Sequence, residues 1–305
     1  MIDLRNEATI KESVSFSGIG AHSGNNIYMT IKPASENSGI IFKRTDITDR
    51  DGYIKLSPES VIEPILCTKV VNASGVSVSV IEHLLAAFRI AGITNALIEI
   101  NSGEVPIMDG SSKVFLDAFK KIGISYQNAK VPAIVIKTPI VAENSSGKIS
   151  ILPSKNRKIS VKLSYDRINE TIGNDNTYEF DMEDDISEIA IARTFGWFED
   201  CEKIRSLGMA KGSSEENTIV IMPDYSIKNS GGLRNPHELV MHKCLDLLGD
   251  IAVIDHDIIG SITAINPSHS LNNILMRKLL SELDRHDVVE NEETEEFQEL
   301  NLAAC

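Results

Sequence analysis

Two segments of the 305-residue chain place acids and imidazoles where they could do chemistry. In Glu238-Leu-Val-Met-His-Lys-Cys-Leu-Asp, His242 and Asp246 stand four apart. On a helix that spacing puts both on one face, a geometry suited to two ligands on one divalent ion. A catalytic zinc takes three protein ligands and keeps one position open. Upstream, Glu82-His83 at the start of a helix-patterned run could supply the third ligand, with Glu82 placed to take a proton from an activated water. Spacing alone leaves other readings open: an HxxxD pair also fits a hydrogen-bonded surface pair, and an acid in a helix's first turn is favoured by the dipole anyway.

Three further segments are rich in turn residues. Gly18-Ile-Gly-Ala-His-Ser-Gly24 has the glycine density of a tight loop, but neither the GxGxxG order nor a Walker lysine, so nucleotide binding by those routes is unsupported. Val105-Pro-Ile-Met-Asp-Gly-Ser111 reads as a strand–helix connection. Ser268-His-Ser-Leu-Asn-Asn273 puts His269 at a helix N-terminus, where the dipole opposes protonation unless a carboxylate compensates; simple capping is the alternative.

These residues need elements to position them. Helical spacing predicts helices over 79–91 and 112–122, each stopped by a glycine, and over 199–207, 238–249 and 271–283. Short alternating runs predict strands at 10–16, 26–31, 39–44, 96–100, 133–136, 148–152, 159–164 and 257–265. Strands and helices mix without a βαβ rhythm, which predicts an α+β fold rather than a doubly wound sheet. A polar stretch near 125–131 marks the boundary between a lobe over 1–126 and a second over 131–285. No sequence repeat links the halves.

Composition narrows the class. With 44 acidic and 30 basic residues the net charge is −14, against the basic face a duplex-binding protein needs. Seven of those carboxylates and no Lys or Arg fall in 286–305, an acidic tail expected to be disordered. The four cysteines form no CxxC pair, as in a reducing compartment. There is no signal-like start and no apolar run near the roughly 20 residues that span a bilayer, so the expectation is a cytoplasmic protein without a transmembrane segment.

Taken in order, Cys67-Thr68, Val80-Ile-Glu-His-Leu84, Glu104-Val-Pro-Ile-Met-Asp-Gly110, Ala192-Arg-Thr-Phe-Gly196, His242-Lys-Cys-Leu-Asp246 with Gly249-Asp250, and His269 with Asn272-Asn273 resemble the UDP-3-O-acyl-N-acetylglucosamine deacetylases, zinc amidohydrolases of lipid A biosynthesis. The similarity runs from about residue 8 to 283. It implies two α+β lobes, each a sheet packed on helices, with the helices sandwiched between the sheets. It implies one Zn²⁺ per chain held by His83, His242 and Asp246, and hydrolysis of the N-acetyl group of the acylated UDP-sugar with release of acetate. Glu82 is then the general base, and Thr194 an oxyanion donor. His269 serves as an imidazolium oriented by Asp250, and Lys243 as a cation for the substrate phosphates. Tyr165 could stack on uracil. An insert near Phe195 is expected to form the acyl channel, with Ile204, Leu207 and Met209 as candidates alongside ordinary core packing. No oligomer is implied.

The chain departs from the family pattern at Ala21, where leucine is usual, at Ser268, where glycine is usual, and at Glu215. The largest departure is Ser164-Tyr-Asp-Arg-Ile168. Two other classes compete with an enzyme: a noncatalytic UDP-acyl-sugar binding protein on the same fold, and an interaction protein organised by the acidic tail.

Overall fold

The structure, a computed structural model, describes residues 2–62, 66–164, 166–173 and 176–290. Its first sheet has the spatial order Val14–Ile19, Asn26–Pro33, Ala96–Ile100, Ile40–Arg44, Tyr53–Lys55. Its second has the order Ile140–Glu143, Lys148–Leu152, Ser261–Ile265, Lys158–Lys162, Thr177–Asp181. In both, the last strand of the five in sequence takes the central place. It runs parallel to the third and antiparallel to the second. The two halves therefore share one topology without a shared sequence. Alternation builds them: along Asn26–Pro33, Ile27, Met29 and Ile31 are buried while Tyr28 faces out.

Six helices are present among the described residues: α1 (Glu82–Ala91), α2 (Lys113–Ile122), α3 (Asp166–Ile172), α4 (Phe198–Ser206), α5 (Glu238–Ile251) and α6 (His269–Ser281). Gly92, at φ +73°, ends α1 in the left-handed conformation that glycine takes without a Cβ penalty. Phe115 of α2 meets Phe16 of the first sheet edge-on at 5.0 Å, and Phe119 stacks on Phe88 of α1 at 5.1 Å. On the other side, α5 and α6 lie on the second sheet, and α1 packs against α5. The helices are thus layered between the sheets, and the fold is α+β. Every residue of α5 except Lys243 is buried. A helix with almost no wet face can exist only between layers.

The α1–α5 contact is backbone against backbone. A Cβ added at Gly249 would stand 2.1 Å from the Glu82 carbonyl oxygen, so only glycine permits this approach.

Several boundaries differ from those expected. The run 10–16 is divided into Asn6–Ile10 and Val14–Ile19 by a bend at Lys11 and Glu12. The polar stretch read as a boundary is a strand, Ile124–Lys130, paired antiparallel with Asn6–Ile10. Its ladder is supplied by the distant chain start, which local composition does not reveal. The run 257–265 breaks at Gly260, where a Cβ would crowd Ile136 and the Leu152 carbonyl. Asp257–Ile259 consequently pairs with Ala133–Val135, while Ser261–Ile265 enters the second sheet. Asp287–Val289, read as tail, is also a strand on Ala133–Val135. The rest of that segment, 291–305, lies outside the described residues.

One buried charge ties the halves together. Asp257 receives Arg5 Nε at 2.8 Å, Arg89 Nη1 at 3.0 Å and Arg157 Nη2 at 3.5 Å. Burial alone would raise its pKa, but the three guanidinium groups outweigh that and hold the carboxyl well below its usual range. A depressed folded-state pKa means that the unfolded chain binds the proton more readily. The stabilisation is therefore present above about pH 4 and is lost as pH falls through the folded value. Asp257→Asn should destabilise by about 3–5 kcal/mol at pH 7, because it leaves buried cations unpaired. In chemical denaturation that difference should shrink steadily below about pH 4. Gly249→Ala should cost about 1–3 kcal/mol by the same measurement, through overpacking at the helix crossing.

Candidate active site

The first turn of α1 and the middle of α5 bring three ligating side chains into one cluster. His83, His242 and Asp246 are all buried, and one ligand atom from each lies within 4.8 Å of the others. His242 Nε2 is 3.3 Å and His83 Nε2 3.9 Å from Asp246 Oδ1, an oxygen with no hydrogen-bond partner. The two imidazoles stand edge to face at 5.1 Å. Burial, with His242 nearby, pushes the His83 pKa down to about 3, and burial also lowers that of His242. Both shifts favour the neutral ring over the imidazolium. Neutral imidazole is the form that ligates a metal.

Burial raises the Asp246 pKa, but His242 and Lys243 reverse this and keep it ionised. The Ala192 carbonyl accepts from His242 Nδ1 at 3.1 Å, which leaves Nε2 with its lone pair facing Asp246. Two neutral imidazoles, a carboxylate and an unsatisfied buried oxygen fit a divalent cation.

Glu82 precedes His83 and follows a strained backbone. Val80, buried and β-branched, has φ +57°, a conformation such residues rarely adopt. The Glu82 carboxylate accepts from the Thr68 amide at 3.0 Å, and burial raises its pKa to about 7. His269 Nε2 lies 3.8 Å from it. His269 Nδ1 donates to Asp250 at 2.8 Å. Burial opposes protonation of that ring, yet Asp250, Asp246 and Glu82 together raise its pKa to about 10. It is therefore an imidazolium. The carboxylate that must offset the helix terminus is Asp250, itself held by Asn272 at 2.8 Å and by the Thr68 hydroxyl.

A cavity of about 160 Å³ opens beside the cluster, lined by Glu82, His83 and Cys67 together with Thr194, Phe195 and Ile204. Phe195 meets His242 edge-on at 6.1 Å. The insert is a parallel strand pair, Phe195–Trp197 with Ile219–Ile221, connected through α4. Met209 is not among the lining residues, where Ala210 stands instead, and Leu207 is 68% exposed. Lys243 Nζ is 2.8 Å from Asp246 Oδ2, which puts its charge beside the cluster. Tyr165 lies outside the described residues. Burial and the neighbouring Glu82 push the Cys67 thiol up to about 12, which makes it a poor nucleophile. A larger cavity of about 270 Å³ adjoins the far end of α1, but no histidine or cysteine lines it.

Reading residues alone missed the roles of Thr68 and Asn272, although both stand inside the quoted motifs. It also missed Glu104, whose carboxylate accepts the amides of His22 and Ser23 at 2.6 and 3.0 Å and so folds the glycine loop at the cavity mouth.

Residues 7–281 match the family described as UDP-3-O-acyl N-acetylglycosamine deacetylase (LpxC). Similar proteins of that name include one from Marinobacter nauticus, 39% identical, with 93% of this chain and 92% of the relative covered. One from Shewanella loihica is 38% identical, covering 95% and 94%. Another from Neisseria meningitidis is 36% identical, covering 98% and 99%. Motifs, fold and full-length similarity agree: the chain belongs to the UDP-3-O-acyl N-acetylglycosamine deacetylase family.

Proposed function

We propose that the protein hydrolyses the N-acetyl group of UDP-3-O-acyl-N-acetylglucosamine, releasing acetate, as a zinc-dependent step of lipid A biosynthesis in the cytoplasm. The observation that carries the reading is the buried His83–His242–Asp246 cluster, with Glu82 and the Asp250–His269 pair beside it, in a chain matching the family over residues 7–281. No helix among the described residues is long and apolar enough to cross a membrane.

An amide is a weak electrophile, so its carbonyl must be polarised while water is activated. His83, His242 and Asp246 would hold a zinc ion, which when bound would supply the Lewis acidity for both. Glu82, with its pKa raised to about 7, accepts the proton of the attacking water. Its Oε2 is fixed by the Thr68 amide, which leaves Oε1 toward His269. The Thr194 hydroxyl, which lines the same cavity, donates to the developing oxyanion. His269 is held protonated by Asp250, so its Nε2–H faces the site; it balances the negative charge and donates to the departing nitrogen. The nitrogen keeps its own hydrogen, and the water proton held by Glu82 returns to His269, so the free amine and acetic acid leave with both groups restored. Ile204 and Phe195 offer the acyl chain an apolar wall. Lys243, partly exposed beside Asp246, is the cation at the cluster and meets the anionic part of the substrate from there.

Glu82→Gln should lower turnover by about 10²–10⁴-fold while the protein keeps its zinc, measured by acetate release and metal content. Chelation should abolish turnover and added zinc restore it. Substrate binding without acetate release by the unaltered chain would instead favour a noncatalytic binder. Truncation after Glu290 spares every described element. It should leave turnover unchanged, whereas truncation before His286 removes the strand Asp287–Val289 and should lower the thermal midpoint.

A further inference from the structure

We infer that the buried Arg193–Glu238 pair is a positioning device that sets the His242 imidazole and Thr194 in register with each other. Glu238 is fully buried in the first turn of α5, one turn before His242. Arg193 Nε donates to its Oε1 at 2.8 Å, and Nη2 to its Oε2 at 3.0 Å. The Arg193 backbone amide also donates to Oε1, at 3.1 Å. Nη2 reaches the Gly232 carbonyl at 2.8 Å as well.

Flanking residues carry this order to the site on either side. Ala192, before Arg193, provides the carbonyl that accepts from His242 Nδ1 at 3.1 Å. Thr194, after it, has its amide on the Gly110 carbonyl and its own carbonyl on the Ile219 amide, both at 2.8 Å. The contacts close a ring: from Glu238 to Arg193, through one peptide to Ala192, across to His242, and back along one turn of α5.

That ring fixes a tautomer as well as a position. The Ala192 carbonyl can only accept, so His242 carries its proton on Nδ1 and presents Nε2 to the cluster. A carbonyl held merely by loop packing could drift; this one is bound to the helix that carries the imidazole it orients. Arg234 extends the brace. Its amide donates to Glu238 Oε2 at 2.5 Å, and its guanidinium reaches the Ile191 carbonyl at 2.9 Å and Asp109 at 2.9 Å. Asp109 adjoins Gly110, which holds Thr194. A buried ion pair is weak evidence of a stabilising role, since apolar replacement of both partners is often tolerated. Orientation of a metal ligand by its outer partners, in contrast, typically governs affinity.

The role assigned to Thr194 rests on the deacetylase reading, but the effect on His242 does not. Arg193→Lys keeps the charge and loses the fork. A double replacement, Arg193→Met with Glu238→Met, removes both charges at similar length. For each, the zinc dissociation constant is measured by chelator competition on metal-free protein, together with kcat, KM and the thermal midpoint. Zinc should bind about 10–100-fold more weakly in both, and kcat should fall with KM little changed, whatever happens to the midpoint. Should Arg193→Lys not fold, the double replacement decides. Zinc affinity within about twofold of the unaltered chain would overturn the inference, even with a lowered midpoint. Failure of the deacetylase reading is a separate result, seen as absent turnover in the unaltered chain.

Discussion

The contact on which the site depends is the one between the Glu82 carbonyl and Gly249. Two helices from different halves of the chain meet there with no side chain between them. Glu82 and His83 occupy the first turn of one helix, and His242, Asp246 and Asp250 occupy successive turns of the other. Close approach of the backbones is what lets these short side chains converge. The buried acids and imidazoles are tolerable only because each answers another: Asp250 holds the His269 imidazolium, and Asp246 is flanked by His242 and Lys243.

Each half brings a sheet of identical strand order with helices on its inner face. One such unit, taken alone, would leave the apolar side of its helices wet. Docking two buries both, and it creates a seam along which polar side chains from each half can be placed without penetrating either sheet. The Asp257 cluster secures the seam at its far end, where Arg5 and Arg89 come from the first half and Arg157 and Asp257 from the second.

Much of the site could be read from the residues. His242 and Asp246 share a helical face as their four-residue spacing implies, His83 joins them from the other half of the chain, and Asp250 faces His269, a pairing that the family resemblance and not the spacing implied. What stayed hidden was long-range. Arg193 and Glu238 are 45 residues apart, and neither stands out by type. The repeated topology leaves no mark either, since alternation of buried and exposed positions is met by many apolar residues. Element ends were legible where glycine signalled them, as at Gly92 after α1. They were illegible where a partner strand from elsewhere decided them, as for Ile124–Lys130 on the chain start. Of the residues expected at an acyl channel, Phe195 and Ile204 line the cavity and Met209 does not, because the turn after α4 offers Ala210 instead.

The ligand cluster draws its members from both sides of that seam, His83 from one half and His242 and Asp246 from the other. An ion held there would therefore be a cross-link, closing a loop of about 160 residues much as a disulfide would, where the described cysteines Cys67, Cys201 and Cys244 form no such bond. Because it binds the docked form and not the open chain, its free energy of binding adds to the cohesion of the two halves. With the proposed ion in place, persistence of the folded protein would follow the supply of metal as well as catalysis would, and a chain made in metal-poor surroundings would be both idle and more easily unfolded.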